Sequence, residues 1–104
     1  MLEPGHKALR LLIRGRVQGV FFRDWTVRHA SDLLLDGWVR NRTDGTVEAL
    51  LVGLDHNVDK MAKLCEIGPP SAKVEEIEIT TAMGITKKGF IQKPTVNLAE
   101  RRGL

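Results

Sequence analysis

Cysteine occurs once in this chain, at Cys65, so no internal disulfide can staple the fold. The histidines, His6, His29 and His56, are scattered, and no Cys/His cluster has zinc spacing. No apolar run approaches the length of a membrane span, and Met1 to Lys7 has no apolar stretch of the kind an export signal carries. The expected compartment is therefore the cytoplasm. Repeats, low-complexity tracts and linkers are missing as well. No carboxylate dyad, metal cluster or well-placed nucleophile stands out.

What is present fits one soluble globular domain. The chain has 104 residues, of which 42% are hydrophobic and 28% charged. That length can bury a core without disulfides or metals. A net charge of +3, with a pI near 9.4, is only mildly basic and falls short of a polycationic nucleic-acid binder. Placement says more than the total: Arg14, Arg16, Arg23, Arg40 and Arg42 cluster in or beside two short segments, where they would attract small anions.

Periodicity predicts the elements. Lys7 to Arg14 alternates, with Leu9, Leu11 and Ile13 on one face of a half-buried strand. From Arg23 to Leu35 the period becomes helical: Thr26, Val27, Ala30, Leu33 and Leu34 share one face. Trp38–Arg42 and Thr46–Val52 read as strands joined by Thr43-Asp44-Gly45, an Asp-Gly hairpin signal. Leu54–Ile67 reads as a second helix with Asp55 as its N-cap, stopped by Gly68-Pro69-Pro70. Lys73–Thr80 is another strand, and Phe90-Ile91 a short fifth one. The order βαββαβ predicts an α+β, ferredoxin-like sandwich with an antiparallel sheet and both helices on one face. Residues 1–6 form an N-terminal arm, 7–92 the domain, and 93–104 a polar C-terminal tail expected to be mobile. Leu12, Trp38, Leu50 and Val52 gather on the open face by parity, a patch for the tail or a second copy to cover. A monomer is expected, with a dimer as the alternative.

One segment carries most of the chemistry. Ile13 to Arg23 runs from a strand through a two-glycine loop to an arginine at a helix start. Glycine turns let successive N–H groups face an anion, a helix N-terminus adds free donors, and a guanidinium supplies a charged fork. That layout suits phosphate. Asn41 has the parity of Val39, so it should point to the helix-covered side, where its amide can orient a water.

Gly15-x-Val17-Gln18-Gly19-Val20-x-Phe22-Arg23 resembles the first signature of the acylphosphatases, and Gly37-Trp38-Val39-Arg40-Asn41-x-x-x-Gly45-x-Val47 the second. Gly68-Pro69-Pro70-x-Ala72-x-Val74 is similar to the segment after that family's second helix. The resemblance spans roughly Lys7 to Ile91. It implies hydrolysis of small acyl phosphates to a carboxylate and inorganic phosphate, without metal, other cofactor or covalent enzyme intermediate, which the lack of a metal cluster or placed nucleophile fits. It implies Arg23 and Asn41 as catalytic residues and Gly15, Arg16, Val17, Gln18, Gly19 and Val20 as the phosphate-binding loop. The partners implied are an acyl phosphate and water, not nucleic acid or membrane. Arg42 stands where some members carry a threonine that orients the asparagine, and Thr46 is expected to serve instead. Leu34 replaces a glycine of the family's pattern; a left-handed leucine there would cost about 1 kcal/mol, so the helix is expected to close at Gly37.

Two other readings use the same fold. A non-catalytic phosphate-binding or regulatory module would keep the loop and lose turnover. An RNA-binding domain would need aromatics on its central strands, and Lys7–Arg14 and Thr46–Val52 have none.

Overall fold

Strand alternation and helix periodicity converge on one buried layer. The computed structural model describes residues 2–99, in the order β1 (His6–Arg16), α1 (Phe22–Asp32), β2 (Asp36–Asn41), β3 (Val47–Leu54), α2 (Asp55–Ile67), β4 (Lys73–Thr81) and β5 (Phe90–Gln92). The sheet order is β4-β1-β3-β2-β5. Strands β1 to β4 pair antiparallel, whereas β5 joins β2 in parallel, so the sheet is mixed rather than purely antiparallel. A parallel edge arises because the chain crosses over after β4 before adding β5.

Leu11 and Ile13 of β1, Val47, Ala49 and Leu51 of β3, Ala30 of α1 and Met61 and Cys65 of α2 bury together between sheet and helices. Burial also pushes the Cys65 thiol up to about 12, which makes it an inert core group. Thr26, fully buried on α1, satisfies its hydroxyl by donating to Phe22 O at 2.8 Å.

Three local expectations are corrected. Leu54 caps α2 with extended backbone and Asp55 is already helical, because β3 runs into the helix without a loop. Asp55 still suits the positive helix end, and its N–H donates to Gly5 O at 2.9 Å. Helix α1 does not run on to Gly37, which already lies in β2. It ends with Leu35 N–H donating to Ala30 O and Leu34 N–H to Ser31 O, each at 3.0 Å. That pair of bonds is a Schellman closure, and it puts Leu34 in the left-handed region at φ 57°. Leu34 consequently leaves the apolar face and stands 85% exposed.

The C-terminal segment also differs from expectation. Lys93 N–H donates to Val39 O at 2.9 Å, Val96 N–H to Asn41 O at 3.1 Å, and Thr43 N–H to Val96 O at 3.2 Å. Residues 93–99 therefore continue along β2 instead of hanging free; the expectation for 100–104 lies outside the described residues. The open face is covered differently too. Leu2 and Ala82 pack on Ala8, Leu50 and Val52, so the chain covers that patch with its own N-terminal arm and the residues after β4. Trp38 lies beneath the Arg40 guanidinium and the Lys93 ammonium, 4.6 and 4.7 Å from its ring centre. Glu48, 5% exposed, receives Arg10 Nε at 2.6 Å and Arg40 Nε at 2.7 Å, one on each carboxylate oxygen.

Candidate active site

The site grows out of the junction between β1 and α1. Gly15 and Arg16, expected in the loop, form the last residues of β1, where the register against β4 shifts between Arg14 and Gly15. A β-carbon on Gly15 would lie 2.3 Å from Lys73 O, so the bulge that opens the loop needs glycine. Val17 and Val20 are buried and pin the loop to the core. Gly19 turns the chain between them at φ 72°. Phe21 follows at φ 62° and ψ 24°, left-handed and 81% exposed, and caps α1 without a side-chain hydrogen bond.

Gln18 ties this loop to the hairpin. Its Nε2 donates to both Arg42 O and Thr46 O, each at 2.8 Å. The amide thereby couples the loop to the end of β2, where Asn41 sits opposite Val47. Thr46 does not orient the asparagine. Its hydroxyl donates to Asp44 Oδ1 at 2.6 Å, and its N–H to the same atom at 3.1 Å. The Asp-Gly turn claims that hydroxyl. Partial burial pushes the Asp44 carboxyl up, but the Thr46 hydrogen bonds and the Arg42 charge outweigh it and hold the carboxyl below its usual value.

Between loop and hairpin lies a cavity of about 280 Å³, bordered by Val17, Gly19, Phe21, Phe22, Arg23, Asp24, Asn41 and Gln92. Arg23 and Asn41 therefore meet across one space, as the sequence suggested. Of the expected loop residues, Val17 and Gly19 border it. Gly15, Gln18 and Val20 build the loop from behind, and Arg16 is exposed at the end of β1. The first helical bond runs from Trp25 N–H to Phe21 O at 3.0 Å. The N–H groups of Phe22, Arg23 and Asp24 precede it, so the cavity faces the donor end of the α1 dipole.

Asn41 Oδ1 is buried and accepts no hydrogen bond from any described residue. An orphaned buried acceptor costs about 1–3 kcal/mol, and here it belongs to a residue that borders the cavity. Asn41's backbone, by contrast, is braced by the bond from Val96 N–H. Among the described residues, no group of three or more His, Cys, Asp or Glu could hold a metal ion. No helix among them is long and apolar enough to cross a membrane.

Phe21, Asp24 and Gln92 are cavity residues that sequence reasoning missed. Gln92 was legible in part: it shares parity with Phe90, which is buried on the helix side, and it pairs with Val39 two residues before Asn41. Trp25 does not reach the cavity. It packs edge-on against Phe22 at 5.4 Å and over His29 at 4.6 Å.

Comparison with known proteins points the same way. The family model described as Acylphosphatase matches residues 9–91. The acylphosphatase of Rhizorhabdus wittichii is 47% identical over 94 residues, covering 90% of this chain and 95% of that protein. The acylphosphatase structure from Coxiella burnetii superimposes with a TM-score of 0.82 at 28% identity, covering 86% of this chain and 94% of the other. The Bacillus subtilis acylphosphatase structure gives a TM-score of 0.78 at 33% identity, covering 83% and 97%. With both signatures converging on one cavity and relatives aligned over nearly their full length, this chain belongs to the acylphosphatase family.

Proposed function

We propose that this protein hydrolyses the carboxyl–phosphate bond of small acyl phosphates, with Arg23 and the 15–20 loop holding the phosphoryl group and Asn41 placing the water. The carrying observation is that Asn41, whose Oδ1 has no hydrogen-bond partner among the described residues, borders the same cavity as Arg23. Arg23 can engage two phosphate oxygens through its planar fork, and the loop and first helical turn offer N–H groups to the rest. Asn41 positions the water through its side-chain amide, so that the water's lone pair faces phosphorus.

The water oxygen bonds to phosphorus as the bond from phosphorus to the carboxyl oxygen breaks. The carboxylate departs as a weak base and needs no proton. The proton lost by water goes to a phosphoryl oxygen of the substrate, giving carboxylate and dihydrogen phosphate. A strong enzymic base is unnecessary because the anhydride is already activated, and positioning with charge stabilisation supplies the acceleration. The scheme uses no metal. We assign the activity to residues 7–92, braced by the following segment, in a cytoplasmic monomer; the self-covered open face supports the monomer. Thr46 serves the hairpin in this reading, through Asp44 and the Gln18 bond.

The test is phosphate release from benzoyl phosphate, with and without a chelator. Steady hydrolysis unaffected by chelator is expected; loss of activity on chelation would refute the metal-free scheme. Absence of hydrolysis by folded protein that still binds phosphate would instead favour the non-catalytic module.

A further inference from the structure

We propose that Phe21 is the acyl-side wall of the site, and that it makes this enzyme prefer flat apolar acyl groups, such as aromatic ones, over acetyl. The inference rests on the hydrolase reading above and adds the class of substrate. Its first support is backbone strain. Phe21 holds φ 62° and ψ 24°, a region where a β-carbon is disfavoured and aromatic residues are outliers. Glycine would adopt it freely. Strained residues of this kind persist where the surroundings over-determine them and cluster at ligand clamps.

The second support is presentation. Val20 and Phe22, on either side, are buried and fix the turn, so the chain swings Phe21 outward to 81% exposure at the cavity mouth. A large apolar ring in water beside a polar anion site gains nothing from folding. It gains contact area once an apolar group sits beside the phosphate.

The third support is the cavity wall itself. Among the described residues Arg23 is the one cation that borders it, and phosphate binding uses it. Beside the loop, Arg23, Asn41 and the core side chain Phe22, the remaining wall is Phe21, Asp24 and Gln92. Asp24 is anionic and lies 3.5 Å from Arg28, its helical neighbour one turn on. A second anionic group on the acyl moiety would meet no free cation there among the described residues. The acyl group that matches this wall is uncharged, with a face to lay on Phe21 and room for a carbonyl hydrogen bond from the Gln92 amide.

The experiment compares kcat/KM for benzoyl phosphate and acetyl phosphate in the wild type, F21A, F21G and F21Y. The wild type should favour benzoyl phosphate by about tenfold or more, the scale set by a small apolar contact. F21A should cut that ratio about tenfold, mainly by raising KM for benzoyl phosphate, with acetyl phosphate little affected. F21Y should keep the preference. F21G should lose it while gaining a few degrees in Tm as the strain is released. Equal losses on both substrates, or an unchanged ratio in F21A, would overturn the inference while leaving the hydrolase reading intact. Failure of the wild type to hydrolyse either substrate would sink both.

Discussion

Two polar side chains with buried oxygens, on opposite faces of the sheet, are treated in opposite ways. Glu48, on the open face, has each carboxylate oxygen occupied by an arginine Nε, at 2.6 and 2.7 Å. Asn41, on the helix side, has a buried carbonyl oxygen with no partner among the described residues. Strand parity alone explains the separation: Arg40 and Asn41 are successive residues of β2, and successive side chains point to opposite faces. Arg40 therefore joins the charged network while Asn41 enters the cavity. A buried polar group that folding needs is saturated by the protein. One that a ligand or water must meet is left open, at a cost in stability.

Removing Glu48 breaks this comparison on its structural side and carries the largest expected effect. E48A leaves Arg10 and Arg40 facing a vacated, poorly hydrated spot, and should cost about 3 kcal/mol, the low end for a broken buried ion pair because Arg10 is partly exposed. Urea unfolding measures it; kcat of the remaining folded enzyme should be unchanged. A loss below about 1 kcal/mol would show that the network is no stronger than a surface pair.

N41A tests the functional side and comes next. Losing one positioned hydrogen-bonding group should lower kcat by about 10²–10³, while inhibition by inorganic phosphate is retained and stability is not reduced. If kcat survives, Asn41 does not place the water. A large stability loss would mean that Oδ1 is satisfied in solution and the contrast with Glu48 is false.

Acid titration sharpens the contrast further. Burial pushes the Glu48 carboxyl up, but hydrogen bonds and charge from Arg40 and Arg10 outweigh it, so its folded value lies below the ordinary 4.5. A depressed carboxyl stabilises the fold fully above its unfolded pKa. That contribution is lost as the pH falls through about 4.5 toward the folded value, and is gone once both states are protonated. Asp44 is depressed in the same sense and adds to the slope. E48Q should flatten the acid limb of stability against pH, whereas N41A should leave it unchanged because no titrating group is removed.

Much of this was legible in the sequence because it depends on period and parity. Leu9, Leu11 and Ile13, the Asp-Gly hairpin and the facing of Asn41 follow from strand alternation and local turn chemistry. Arg23 and Asn41 were readable as a pair because the first signature ends at Arg23 and the second contains Asn41. What was not legible depends on three-dimensional closure. The bracing of Asn41 by Val96 joins residues 55 positions apart through a polar segment without period. Thr46 lost its expected role because Asp44, two residues away, competes for its hydroxyl more effectively than Asn41 can. Gln92 required the parallel pairing of a three-residue strand.

The smallest effect concerns a residue outside both networks. Leu34 shares with Phe21 a left-handed backbone and an exposed side chain, yet it borders neither the cavity nor the Glu48 cluster. Its conformation is set by the Schellman closure of α1, which needs a left-handed residue and not a leucine. L34G should release about 1–2 kcal/mol of β-carbon strain, less about 0.5–1 kcal/mol for the greater freedom of glycine in the unfolded chain. The net gain of about 0.5–1 kcal/mol should raise Tm by a few degrees. Activity and the benzoyl-to-acetyl ratio should not change, which separates Leu34 from Phe21, where the same relief is coupled to loss of selectivity. A fall in Tm would show that the leucine makes a contact that stabilises the helix end more than its backbone strain destabilises it.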